Sequence, residues 1–148
     1  MGGALLSGWG AAGLLAPKDV QIIDPAPGAE ALAAAASGAR LDPSDAEVAA
    51  AQTVLLAVKP QLWRAASGPL APRLGAQAVV VSIAAGVRLR ELEAVFARPC
   101  ARVMPTTAVA VRKGAASIYA PDPAARARAT ALFAPVAKVV RLSDEDLL

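Results

Sequence analysis

Three stretches of this chain, Val20–Asp24 (VQIID), Thr53–Val58 (TVLLAV) and Ala78–Ile83 (AVVVSI), are apolar without alternation. A strand with one wet face alternates apolar and polar residues. A continuous apolar run bounded by turn residues belongs to a strand buried on both faces. Such strands predict a parallel sheet with helices packed above and below it. Ala101–Met104, Ala115–Tyr119 and Lys138–Arg141 read as further strands.

Alanine-rich segments with helical potential lie between them. They are Gly2–Leu14, Ala29–Ala36, Ser44–Ala51, Gln61–Ala66 (stopping near Gly68-Pro69), Arg88–Ala97 and Ala124–Phe133. Ser44 with Glu47 three residues on is a capping-box pattern. Leu89, Leu92 and Phe96 share one face of their helix. Asp122-Pro123 supplies an N-cap acid and a first-turn proline. Strands alternating with helices at this spacing predict a doubly wound α/β fold, with one domain over residues 1–148.

Composition removes several function classes. At 56% hydrophobic and 18% charged residues, the chain is not disordered. One cysteine, Cys100, excludes a disulfide scaffold. With no histidine, imidazole acid–base work and His-metal sites are out, and no metal site is expected. Aromatics at 3% and scattered arginines, for a net charge of +3, argue against a nucleic-acid partner. The uncharged apolar run Ala78 to Val87 is half the roughly 20 residues of a membrane span, and no membrane partner is expected. The apolar N-terminus has no cation before Lys18, unlike a signal peptide, and with the lone thiol this points to the cytoplasm.

The chain opens in a helix at Gly2-Gly3, before any strand. It closes on Ser143-Asp144-Glu145-Asp146-Leu147-Leu148, acids behind a serine as at a helix start. The end reads either as a frayed polar tail or as part of a chain cut at both ends relative to a larger protein.

In an open parallel sheet, ligands bind outside the carboxyl ends of the strands. Asp24 follows the first strand, where an acid hydrogen-bonds the ribose hydroxyls of NAD; it reads equally as a turn acid before Pro25. Lys59-Pro60-Gln61 follows the second strand, placing a cation at the crevice or a lysine at a strand end. Ala84-Ala85-Gly86 follows the third, with small residues that admit a flat ligand or simply make a tight turn. Pro105-Thr106-Thr107 follows the fourth, as two hydroxyls on one side or a capped loop. Gly2-Gly3 matches only the end of a G-x-G-x-x-G phosphate turn.

Four segments, in order, resemble the amino-terminal Rossmann-type domain of pyrroline-5-carboxylate reductase. Met1–Gly8 (MGGALLSG) is similar to the end of that family's glycine-rich turn and its helix. Leu56–Gln61 carries its AVKPQ segment, and Val81–Val87 its SIAAGV segment. Arg102–Thr107, followed by Gly114-Ala115-Ala116, resembles its R-x-MPNT…G-A segment. The resemblance implies NADPH- or NADH-dependent reduction of the C=N bond of 1-pyrroline-5-carboxylate, a small-molecule imine, to L-proline. By matched position, Gly2 is the last glycine of the dinucleotide turn. Ala57, Val58, Lys59 and Pro60 lie along the cofactor, Ala85 and Gly86 back the nicotinamide, and Met104, Pro105, Thr106 and Thr107 sit where cofactor and imine meet.

The departures are specific. The family's first strand and first two fingerprint glycines are missing. So is its carboxyl-terminal helical domain, which forms the homo-oligomer and holds the substrate carboxylate. The catalytic acid is therefore unassigned, and the isolated chain is expected to be inactive. Thr106 replaces the family's asparagine and Ala108 a proline. Asp24 tilts cofactor choice toward NADH. Two other readings stay open: another Rossmann oxidoreductase of the prephenate-dehydrogenase or F420-type reductase kind, and a non-catalytic module that binds a nucleotide or a partner protein.

Overall fold

The computed structural model describes residues 1–148. Helix α1 (Gly2–Ala12) precedes a short parallel pair, β1 (Gln21–Ile22) and β2 (Arg40–Leu41), linked by α2 (Ala29–Ala36). After α3 (Asp45–Ala50) comes a five-stranded sheet in sequence order: β3 (Thr53–Leu56), β4 (Val79–Ser82), β5 (Cys100–Pro105), β6 (Gly114–Tyr119) and β7 (Ala137–Arg141). Helix α4 (Trp63–Leu70) joins β3 to β4, α5 (Leu89–Phe96) joins β4 to β5, and α6 (Pro123–Phe133) joins β6 to β7. All neighbours are parallel except β5 and β6.

Continuous apolarity has its expected cause in β4, which is central and buried at every position. Val79 and Val81 face a core completed by Leu5 and Trp9 of α1 and by Ala125, Ala129 and Phe133 of α6. Val80 faces a second core containing Val48, Trp63, Leu89, Leu92, Phe96 and Cys100. The Trp9 indole N–H donates to the Leu132 carbonyl at 2.7 Å, and its ring meets Phe133 edge-on, so α1 is fixed to α6. Beyond β5 the second layer ends. In β6, Gly114, Ala116 and Ile118 are buried while Ala115 is exposed, the alternation of a sheet covered on one face.

The other two unbroken runs differ from expectation. In β1 only Gln21–Ile22 pair, and Ile23 is 51% exposed. This strand pairs with β2 alone, and the two-stranded unit shares no ladder with β3. β3 in turn is the edge of the larger sheet, so Val54 and Leu55 are half-buried and only Leu56 is buried. Both runs have the composition of interior strands but lack a neighbour on one edge. β2 is too short to register as a pattern.

The helix caps follow the sequence closely. Ser44 and Glu47 form the capping box, and Arg40 pairs with Glu47 at 2.9 Å, tying β2 to α3. Asp122 accepts from the Ala125 N–H at 2.8 Å. Leu89, Leu92 and Phe96 are all buried. The expected stop near Gly68-Pro69 does not occur: α4 runs to Leu70 with Pro69 inside it. One absent N–H late in a helix is outweighed here by burial of Trp63 against the sheet. No helix is long and apolar enough to cross a membrane.

Candidate dinucleotide site

Register levels the strand ends. Leu56 lies opposite Ser82, and Ser82 opposite Arg102. Ala57–Pro60 and Ala84–Gly86 therefore leave the sheet at one edge, where Met104-Pro105 ends β5 and Thr106-Thr107 follows. α1 starts at this edge, because a Cβ built on Gly2 would sit 3.5 Å from the Ala57 Cβ. The first turn of α1 has no side-chain cap and no acid, and its first backbone bond is from Leu5 N–H to the Met1 carbonyl. The N–H groups of Gly2, Gly3 and Ala4 are thus unpaired and carry the positive end of an eleven-residue helix. Unpaired N–H groups beside a residue without a side chain suit a phosphate.

The flanking groups are placed as follows. Asp24 is exposed past the end of β1, and its Oδ1 accepts from the Ala26 N–H at 2.9 Å, leaving the second oxygen free. Ala57 and Val58 are half-buried. The Lys59 side chain is exposed, with no hydrogen bond or ion pair, and Pro60 opens a 3-10 turn over Pro60–Leu62. Ala85 and Gly86 are exposed, and Gly86 has φ of 75°, the left-handed region that favours glycine. Met104 is half-buried and lines an open cavity of ≈ 430 Å³ together with Ala85 and Gly86. Pro105 is buried at the end of β5, so only its backbone is available. Thr106 and Thr107 do not offer two equivalent hydroxyls. Thr106 Oγ1 accepts from the Ala115 N–H at 3.0 Å, closing the turn into β6, whereas the Thr107 hydroxyl has no partner.

These features can be set beside known proteins. The family model described as NADP oxidoreductase, coenzyme F420-dependent, matches residues 1–86, more than half of the chain. The chain belongs to this family. A pyrroline-5-carboxylate reductase from Pseudomonas aeruginosa is 42% identical over 125 residues, covering 81% of this chain and 45% of the relative. One from Haemophilus influenzae is 35% identical over 100 residues, covering 64% of this chain and 37% of the relative. The matches thus span less than half of those curated relatives. Among solved structures, the NADP-bound Plasmodium falciparum pyrroline carboxylate reductase gives a TM-score of 0.83 at 18% identity, over 99% of this chain and 55% of that one. The Coxiella burnetii pyrroline-5-carboxylate reductase also gives 0.83, at 24% identity, over 97% of this chain and 55% of that one. Prephenate dehydrogenase from Aquifex aeolicus gives 0.72 at 16% identity, over 97% of this chain and 56% of that one. These likenesses establish the Rossmann-type fold, and the resemblance drawn from the four sequence segments agrees with the curated relatives.

Two further groups stand at the site without a prior signal. The Glu30 carboxylate, in the first turn of α2, comes within 2.8 Å of a Cβ built on Gly3. It adds a negative group beside the α1 N-terminus. The other is a set of ion pairs at the opposite end. Arg102, in β5, has a side chain only 7% exposed and donates to Glu145 at 2.8 Å. Glu145 also accepts from the Leu89 N–H at 2.6 Å, and Arg88 pairs with both Glu145 and Asp146. The acidic tail is therefore not frayed: Glu145–Leu147 forms a 3-10 turn held against the α5 N-terminus. Burial pushes the Glu145 carboxyl up, but the Leu89 N–H and the two arginines outweigh it and hold it below the usual range. A buried cation in an apolar strand signals a carboxylate partner, but spacing alone does not choose which. Cys100 is fully buried under α5, and desolvation, with a smaller effect of Glu93, pushes its thiol up to about 12. It is no nucleophile.

Proposed function

We propose that this chain is the dinucleotide-binding part of a pyrroline-5-carboxylate reductase, taking NADPH or NADH for reduction of 1-pyrroline-5-carboxylate to L-proline. The observation that carries the reading is the convergence on one sheet edge of the uncapped α1 N-terminus with the ends of β3, β4 and β5. The choice of reaction rests on the pyrroline-5-carboxylate reductase relative at 42% identity. Rossmann folds of other dehydrogenases at 16% identity do not select a substrate.

The residues present fit a dinucleotide. A methyl on Gly2 would fill the space between α1 and Ala57, where backbone N–H groups would meet the pyrophosphate. Asp24 would accept from ribose hydroxyls, and Lys59 would offset phosphate charge. Ala85 and Gly86 leave the far end open to a flat ring, and the Thr107 hydroxyl is free to donate there. When bound, the nicotinamide supplies the hydride; the chain's own part is to orient it and hold charge. Substrate carboxylate binding and homo-oligomerisation belong to the whole protein in this reading. A cytoplasmic site suits the lone buried thiol.

The test is NADPH consumption, with L-proline as product, by the protein isolated from its source. Turnover dependent on 1-pyrroline-5-carboxylate is expected. Reduction of NAD+ or NADP+ by prephenate or by reduced F420, with no turnover on the imine, would overturn the assignment.

A further inference from the structure

We propose that Glu145 is a positioning residue for the nicotinamide end of the site, and that the Ser143–Leu148 arm sets the shape of that end. The inference rests on the dinucleotide reading above. Asp24 lies beyond α1 on the β1 side and would take the adenosine ribose, so the other half of the dinucleotide extends across the ends of β4 and β5. Two backbone segments form that end. One is the Ala84–Gly86 turn, which leads into α5; the other is Met104-Pro105, which finishes β5. They lie on adjacent strands, and each is tethered to Glu145.

The tethers are short. Oε1 of Glu145 accepts from the Leu89 N–H at 2.6 Å and from Arg102 Nη1 at 2.8 Å. Leu89 is the first residue of α5, three past Gly86; Arg102 is two before Met104. One carboxylate oxygen thus joins the segment behind the turn to the strand beside it. Arg88, paired with Glu145 Oε2 at 3.6 Å and with Asp146, closes the same knot. Glu145, Asp146, Ala85, Gly86 and Met104 all border the ≈ 430 Å³ cavity. Arg102 has no other side-chain partner, so without Glu145 a guanidinium only 7% exposed is left uncompensated. It must then move toward water, and β5 and the arm separate where the ring would lie.

The experiment measures binding of NADH and of ADP-ribose, which has no nicotinamide, to the full chain and to Glu145→Ala and Glu145→Gln. Calorimetry gives both affinities, and circular dichroism checks the fold. Glu145→Ala is expected to weaken NADH about tenfold while leaving ADP-ribose within about twofold. Glu145→Gln, whose amide oxygen still accepts from Leu89 but carries no charge for Arg102, is expected to fall between. This variant decides the matter if Glu145→Ala does not fold. Equal weakening of both ligands in Glu145→Gln would mean general loosening and would overturn the proposal. Unchanged affinities would overturn it too. If the unmutated chain binds neither ligand, the dinucleotide reading falls, and this inference with it.

Discussion

Gly8 and Gly10 lie two residues apart in α1 and face opposite environments. A Cβ on Gly8 would sit 2.2 Å from the Val109 carbonyl oxygen and 3.2 Å from Val136 Cγ1; one on Gly10 meets nothing within 4 Å. Alanine at either position gains up to about 1 kcal/mol of helix propensity. At Gly10 this gain stands alone. At Gly8 the contact lies about 1 Å inside the normal C···O separation, and the obstacle is backbone, which has no rotamer to change. α1 must therefore lift off the Thr107–Val111 turn. Overpacking costs roughly 1–3 kcal/mol, and a backbone clash belongs at the upper end, leaving Gly8→Ala about 2 kcal/mol less stable. For a domain of this size that is a fall in Tm of roughly 4–8 °C, while Gly10→Ala rises by about 1–4 °C. Differential scanning calorimetry on the pair reads both signs. A Gly8→Ala protein as stable as Gly10→Ala would mean that α1 does not rest on the Thr107–Val111 turn.

Three further outcomes are expected. Asp24→Ser should improve NADPH relative to NADH about tenfold, roughly 1.4 kcal/mol, because the carboxylate repels a 2′-phosphate; an unchanged ratio in parallel titrations means that Asp24 points elsewhere. The Glu145 carboxyl is lowered in the folded state, so its stabilisation is complete above the ordinary value of about 4.3 and is lost as pH falls through the lowered one. Thermal scans below about pH 4.3 should accordingly show unmutated protein losing more Tm than Glu145→Gln, and parallel losses would refute the clamp. Cys100 should resist a thiol reagent at neutral pH until the protein unfolds, with labelling tracking global unfolding across denaturant; fast labelling of native protein would contradict its burial.

The fold was legible where local chemistry and tertiary position agree. The Ser44–Glu47 box, the Asp122-Pro123 start and the Leu89/Leu92/Phe96 face are local signals, and each appears in place. The apolar runs showed that strands exist but not which edges are paired. VVVS in β4 is central and TVLL in β3 is an edge, although both read alike. The convergence of the strand-end segments was legible because loops after parallel strands share one edge. Glu30 and the Arg102–Glu145 pair were not, because they arise from contacts between distant segments; Arg102 and Glu145 are 43 residues apart. Thr106 read either as a ligand hydroxyl or as part of a capped loop, and the contact of its Oγ1 with the Ala115 N–H was not legible because Ala115 lies in the next strand.

The central claim is that the α1 N-terminus and the ends of β3, β4 and β5 form one dinucleotide site. At 14.9 kDa the chain suits amide-resolved NMR, and titration with NADH tests the claim residue by residue. Shifts are predicted at Gly2, Gly3, Asp24, Ala57–Lys59, Ala85-Gly86 and Met104–Thr107, saturating together, with α6 and β7 unmoved. Absence of saturable shifts, or shifts concentrated at α6 and β7, would contradict it.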